Sequence, residues 1–261
     1  MIPSTTAPTV GTLYLVPTPL DFGCVTEADM RDVLPEATLR TAASLQHWVC
    51  ENAKSTRAFL KRVALTHPLA APLQGLHLQE LSHTAHKKGD HQDSAGVDAK
   101  PLLQAALAGH DMGLVSEAGM PTIADPGSSV VRTAHQLGVP VVALVGPVSL
   151  LLALATSGLN GQNFAFVGYL PQREPERGQR IRALESLARK TGQTQLFIET
   201  PYRNAALMGA LLQTLNGNTR LCTASGMTLP QAATRSATVA QWKQSGWTLD
   251  DRTPTVFAIG A

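Results

Sequence analysis

The sequence is short of the residues that mark several large classes of protein. It holds three cysteines in 261 residues, Cys24, Cys50 and Cys222, far apart and odd in number. No disulfide framework and no zinc-type spacing can be built from them, which fits a reducing compartment. Aromatic residues make up 5% and charged residues 15%, and neither sign of charge dominates, because the formal net charge is +2. That balance neither requires nor excludes a nucleic acid, for which a concentrated basic patch is the better sign. The longest apolar run, Leu150–Ala155, is too short to cross a bilayer, so no membrane association is expected. The opening MIPSTTAPTV has no basic region and no apolar core, so it does not read as a signal peptide, and a cytoplasmic location is expected. Familiar catalytic signatures are missing too. There is no GxxxxGK followed by Ser or Thr, no GxGxxG and no GxSxG. Those absences argue against a P-loop ATPase, a dinucleotide site of the usual kind and a serine hydrolase.

What is present is an alternation of strands and helices. Gly11–Val16 reads as a first strand, 36–45 as a helix, 47–50 as a short strand and 54–63 as a helix with Ala58, Phe59 and Val63 inside. Ser55 and Thr56 are candidate caps for that helix. A weak strand at 76–81 is followed by a polar run with His83, His86, Asp90, His91 and Asp93. That run suits a metal site in residue type, but reads better as a surface loop, and no metal is expected. Val139–Val145 is β-branched and reads as a buried parallel strand. Residues 157–163 are the best linker, so the expected domains are 1–158 and 163–261, joined through 159–162. In the second half Arg173–Lys190 is a charged helical segment. It reads as a solvated face, or, more sharply, as a rim that meets phosphates. Strands and helices continue to alternate after it, with an edge strand predicted near Arg235–Val239. The pattern is that of an α/β fold with two domains and mainly parallel or mixed sheets.

The stretch Gly113–Gly127, GLVSEAGMPTIADPG, is the most informative. It is a short apolar strand running into a loop of glycines, prolines and carboxylates. Ligands of open α/β sheets bind beyond the carboxyl ends of the strands. Other predicted strand ends finish in similar turns: Pro17-Thr18-Pro19, Glu51-Asn52, Gly146-Pro147-Val148-Ser149, Glu199-Thr200-Pro201-Tyr202 and Ala224-Ser225-Gly226. In that reading Ser149 either caps the helix that follows or faces the ligand. Backbone groups, small residues and carboxylates suit a zwitterionic, partly apolar ligand better than a polyphosphate.

SEAGMPTIADPG, VALVGPVSLLLALATSGL, FAFVGYLP and FIETPYRN, in that order and spacing, resemble the tetrapyrrole methylase family. These are class III S-adenosylmethionine-dependent methyltransferases. Within it, the likeness is to the bacterial branch that methylates a cytidine ribose 2′-oxygen of small-subunit ribosomal RNA. The resemblance implies two α/β domains with the cofactor in a cleft between them, and a homodimer. It implies cofactor contacts from Thr18, Pro19, Ser116, Glu117, Ala118, Gly119, Ile123, Ala124, Pro147, Val148, Ser149, Thr200 and Pro201, with Ala224 and Thr255 contributing from the C-terminal domain. The product would be S-adenosylhomocysteine. The pattern departs at Leu20-Asp21-Phe22-Gly23, where the branch has Gly-Asn, and at Cys50-Glu51-Asn52-Ala53-Lys54, where it has Ala-Glu-Asp-Thr-Arg. Its Arg-Glu-Leu-Thr-Lys is Ala224-Ser225-Gly226-Met227-Thr228 here.

Methyl transfer to a hydroxyl needs in-line positioning and a base. Glu51 and Glu199 are the candidate bases, and Lys54, Arg57 and Arg203 are candidates to hold phosphate or steady an alkoxide. Glu51 and Arg57 forming a structural ion pair is the competing reading. RNA or a ribosomal subunit is the expected partner. The alternatives are a methyltransferase for a small, tetrapyrrole-like molecule and a cofactor-binding module without turnover.

Overall fold

The computed structural model describes residues 10–82 and 98–261. The histidine-containing run at 83–93 lies outside them. Contacts divide the chain into two compact units. The first holds the described residues up to Phe22 and from Ala28 to Pro147, and the second holds Gly23–Glu27 and Val148–Ala261.

The first unit is built on a parallel sheet of β1 (Leu13–Leu15), β2 (His47–Cys50), β3 (His77–Glu80), β4 (Met112–Val115) and β5 (Val141–Ala143). Its order is β3-β2-β4-β1-β5, and every pairing is parallel. Around it lie α1 (Met30–Val33), α2 (Glu36–Ser44), α3 (Ala53–Val63), α4 (Gln104–Leu107) and α5 (Ser128–Gln136). Burial on both faces explains why β4 is apolar throughout: Met112, Gly113, Leu114 and Val115 are all buried. Gly113 is required there. A Cβ at that position would come within 2.4 Å of the Trp48 ring, and Trp48 is fully buried in the core. Helix α3 starts at Asn52, whose side chain accepts from the backbone N–H groups of Lys54 (2.8 Å) and Ser55 (3.2 Å). Asn52 therefore is the cap, not Ser55 or Thr56, whose hydroxyls donate back to the Asn52 carbonyl. The inner face of α3 is Thr56, Phe59, Leu60 and Val63. Ala58 is exposed, because it sits a quarter turn off that stripe.

The β-branched run at 139–145 is not a buried strand. Only Val141–Ala143 pairs, on one side, at the sheet edge, and Val142 stays 42% exposed. Among the described residues, no further strand covers its outer flank.

The second unit begins with α6 (Ser149–Ser157) and continues through β6 (Phe164–Tyr169), α7 (Glu176–Thr191), β7 (Thr194–Ile198), α8 (Asn204–Thr214), β8 (Arg220–Ser225), β9 (Ala233–Thr238), α9 (Val239–Ser245) and β10 (Thr255–Gly260). Its sheet is mixed, in the order β6-β7-β10-β8-β9. Strands β6 and β7 run parallel, and β10 is antiparallel to both β7 and β8. Strand β9 forms the edge near the predicted position. Two apolar clusters fill the unit. Ile181, Leu184, Leu207, Leu211 and Trp242 pack with Phe197 and Phe257 in one. Leu150, Ala153 and Leu154 of α6 pack with Leu196, Cys222, Ala224 and Val256 in the other. That second cluster is why contacts divide the chain at Pro147 rather than at the expected linker 159–162. Asn160 likewise stays with the second unit, donating from its side chain to the Gly192 carbonyl at 2.9 Å.

Candidate functional site

In the first unit, the carboxyl ends of β1, β2 and β4 carry the residues singled out from the sequence. A two-way backbone bridge ties the loops after β1 and β4: Thr18 N–H donates to the Gly119 carbonyl at 3.0 Å, and Gly119 N–H donates to the Thr18 carbonyl at 3.1 Å. The Thr18 hydroxyl reaches the Ser116 carbonyl at 3.4 Å. Gly119 has φ +74°, a conformation that favours glycine. A Cβ there would meet Leu20 at 2.9 Å and the Pro147 carbonyl at 3.4 Å. Thr18, Pro19, Ser116–Gly119 and Pro147 are thus brought together. Gly146 has a different task, since a Cβ on it would strike the Pro17 ring at 2.3 Å.

Glu51 joins the same edge. Its N–H donates to the Val115 carbonyl at 3.2 Å, and its carboxylate accepts from the Glu117 N–H at 3.2 Å. Glu51 therefore braces the loop after β4. Sequence reasoning puts Glu117 in the site but assigns no role to Asp125, eight residues on. Burial pushes the Asp125 carboxyl up to about 7, the negative charges of Glu51 and Glu117 push the same way, and a hydrogen bond from Ser116 opposes them. Like charges gathered in a half-buried loop disfavour a further ionised carboxylate. The signal is in the sequence, as an acid inside a Gly- and Pro-rich turn at a strand end. Lys54 and Arg57 lie exposed at the start of α3, and Arg57 reaches back to the Ala53 carbonyl at 3.5 Å.

Asp21, where the ribosomal branch differs, is structural. Its carboxylate takes both guanidinium arms of Arg62 at 3.1 and 2.9 Å and accepts from Ala28 N–H at 2.9 Å. Its side chain is 6% exposed.

In the second unit, antiparallel pairing places the start of β10 beside the ends of β7 and β8. Thr255 faces Ser225 in register, and Val256 faces both Ala224 and Ile198. The Ser225 and Thr255 hydroxyls lie 2.8 Å apart. One oxygen of Glu199 accepts from Thr200 N–H at 2.7 Å and from Arg203 at 2.7 and 3.0 Å. Its side chain is 6% exposed. This pair shapes the Thr200-Pro201 turn. Val148 precedes α6 as its cap position and Ser149 is its first residue, so Ser149 does not cap.

Backbone strain marks the same loops. Among the described residues, three that are not glycine have φ in the left-handed region: Thr122, Ala124 and Thr228. The first two follow β4 and flank Ile123, and the third follows β8. Such residues cost about 1–3 kcal/mol each and gather at functional sites. Among the described residues, the buried Thr228 hydroxyl has no hydrogen-bond partner. Nothing in the sequence announces a β-branched residue in that conformation, so Thr122 and Thr228 are not legible there.

The family model of the Tetrapyrrole (Corrin/Porphyrin) Methylases matches residues 36–242. The ribosomal RNA small subunit methyltransferase I of Mesorhizobium japonicum is 32% identical over 205 residues, covering 78% of this chain and 60% of that protein. The protein of the same name from Vibrio cholerae is 30% identical over 217 residues, covering 83% and 65%. The chain thus spans under two thirds of the length of these two relatives. The crystal structure of the methyltransferase CobJ shares the fold with a TM-score of 0.54 at 18% identity, covering 96% of this chain and 94% of that one. The native form of uroporphyrin III C-methyl transferase from Thermus thermophilus does so with 0.51 at 16% identity, covering 96% and 97%. With a family model matched over most of its length and the strand-end loops in place, the chain belongs to the tetrapyrrole methylase family.

Proposed function

We propose that this protein transfers a methyl group from S-adenosylmethionine to a ribose 2′-hydroxyl of ribosomal-type RNA. The observation that carries the site is the coincidence of strain with a strand end: Thr122 and Ala124 both lie in the loop that follows β4. The relatives' printed names support RNA as the acceptor. A ribosomal acceptor puts the work in the cytoplasm.

The donor set fits the cofactor. Bare backbone at Gly119 and the carboxylates of the first unit suit an adenosyl amino acid with a cationic centre. When bound, the cofactor supplies an activated methyl group. In this reading Thr18, Pro19, Ser116–Gly119, Ile123, Ala124 and Pro147 of the first unit contact it. Val148, Ser149, Thr200, Pro201, Ala224 and Thr255 are the further cofactor contacts that the family resemblance implies. Asp125 takes the proton of the acceptor hydroxyl, because its pKa of about 7 lies near the operating pH. Glu51 holds the loop that carries it. Lys54 and Arg57, exposed and three residues apart, meet phosphates of the acceptor. Glu199 and Arg203 brace the Thr200-Pro201 turn. The protein works as a homodimer, for which the exposed Val142 and Val145 on the β5 side offer one apolar surface among several.

Calorimetry tests the cofactor part. Wild type is expected to bind S-adenosylmethionine in the micromolar range, roughly −8 kcal/mol. Gly119→Val, which is disfavoured at positive φ and crowds Leu20, should abolish that binding. Undiminished binding by a folded variant would refute the placement.

A further inference from the structure

The charges of α7 sort into two sets. Arg177 is held by Glu174 at 3.0 Å and by the Gln172 carbonyl at 3.4 Å. The phosphate rim expected from the sequence includes Arg177, and that pairing takes it out of play. Arg182, Arg189 and Lys190 are different. All three are exposed, and among the described residues none has an ion-pair partner. With Glu185 and Ser186 they line one hollow of about 420 Å³. Arg189 also lines a second hollow of about 310 Å³, with Asn216, Asn218, Thr219 and Ala261. Arg189 is common to both linings, and the two hollows are taken together as one trough. The one acidic side chain in the lining is already engaged: Glu185 accepts from the Asn216 N–H at 2.8 Å and from the Thr219 hydroxyl.

Arg189 and Lys190 lie in the last turn of α7, where cations offset the helix carbonyls without any ligand. That does not account for Arg182, two turns earlier on the same flank, nor for the amides across the trough. Apart from Glu185 and the small Ala261, the lining is cations, amides and hydroxyls, without the large aromatic or aliphatic anchors that protein partners need. It matches a phosphate–sugar backbone, which is bound by Arg, Lys, Asn and Ser side chains.

The trough is also remote from the candidate reaction loops of its own unit. Helix α7 leaves the carboxyl end of β6 and runs back to the start of β7. Its last turn therefore sits at the sheet edge opposite Thr200, Ser225 and Thr255. Six residues of β8 separate the two edges, about 20 Å at 3.3 Å per residue.

We infer that this trough is a second, sequence-independent RNA site that anchors the backbone of a polymeric acceptor away from the point of methyl transfer. The choice of RNA rests on the reading above. A polymeric acceptor can reach such a site and the reaction point together, and its binding energy is collected from phosphates that do not react.

The test uses the full chain and a short fluorescein-labelled single-stranded RNA of mixed sequence, followed by anisotropy against salt. The triple variant Arg182→Gln, Arg189→Gln, Lys190→Gln should bind roughly 10–100-fold more weakly near 0.1 M salt. Its log–log salt slope should be shallower by about 2, at about 0.7 for each phosphate no longer neutralised. Cofactor affinity should not move. A control triple on other exposed cations, Arg40→Gln, Lys61→Gln and Lys243→Gln, should leave both RNA quantities near wild type. Wild-type affinity and slope in the first triple would overturn the inference and leave the RNA reading standing. Equal losses in both triples would overturn it as well, since bulk charge would then explain the effect. If the first triple loses binding to polyglutamate and keeps binding to RNA, the trough serves an acidic protein, and the inference fails. If wild type itself binds RNA without salt dependence and labels only small molecules, the RNA reading fails first.

Discussion

Replacing Asp125 with Asn removes a charge and keeps the shape of the side chain. In the folded protein this carboxyl titrates at about 7 against an ordinary 3.8, because of burial first and then Glu51 and Glu117. A difference of roughly 3 in pKa corresponds to about 4 kcal/mol, at about 1.4 kcal/mol for each tenfold change. Water reaching the half-buried loop reduces that figure, so about 1–3 kcal/mol is the working range. The sign follows from proton counts. Between pH 3.8 and about 7 the folded state holds a proton that the unfolded state has lost. Stability from this group is thus full below the unfolded value and is lost as the pH rises through the folded value. The amide of the variant never ionises, so Asp125→Asn should gain on wild type as the pH rises. In urea unfolding followed at pH 5 and pH 8, the gap in free energy should widen by about 1–3 kcal/mol. A constant gap would show that Asp125 is ionised in the folded protein, and with it the proposed base would lose its matched pKa. Methyl transfer by Asp125→Asn should fall by about 10²–10⁴-fold, the usual range for a lost general base.

Gly113→Ala forces a methyl group toward the Trp48 ring and should cost about 1–3 kcal/mol in thermal or urea unfolding, the range for overpacking. Thr228→Gly relaxes the backbone at φ +71° and should raise stability by about 1 kcal/mol, while calorimetry shows weaker cofactor binding. Gain of stability with unchanged binding would make Thr228 a merely strained turn. Arg203→Ala leaves the Glu199 carboxylate buried without its cation and should destabilise the second unit by about 3 kcal/mol.

The fold is legible where local patterns are strong. Strand–helix alternation and the Gly- and Pro-rich strand ends are enough to place β1, β2, β4 and the loops beyond them. The edge position of β5 is not legible, because a β-branched run reads the same on an edge as in a buried centre. The division at Pro147 escapes the sequence for a related reason. A Gly- and Asn-rich stretch looks like a linker, whereas the packing of Leu150, Ala153 and Leu154 on Cys222 and Ala224 decides which unit holds α6. In the site, residue types show where the carboxylates lie, but not how they are used. Glu199 and Arg203 form a pair through one turn of local geometry. Asp125 acquires its high pKa through burial first, and then through Glu51 and Glu117 brought from the ends of β2 and β4.

The central claim is methyl transfer to RNA ribose. The most direct measurement supplies the protein with methyl-labelled S-adenosylmethionine and a whole-cell extract from cells lacking its gene, whose acceptor sites are still unmethylated. After separation by size and digestion of the RNA, label in a 2′-O-methylated nucleoside is the predicted result, absent with Asp125→Asn. Label confined to small molecules, or no transfer by a protein that binds the cofactor, would contradict the account.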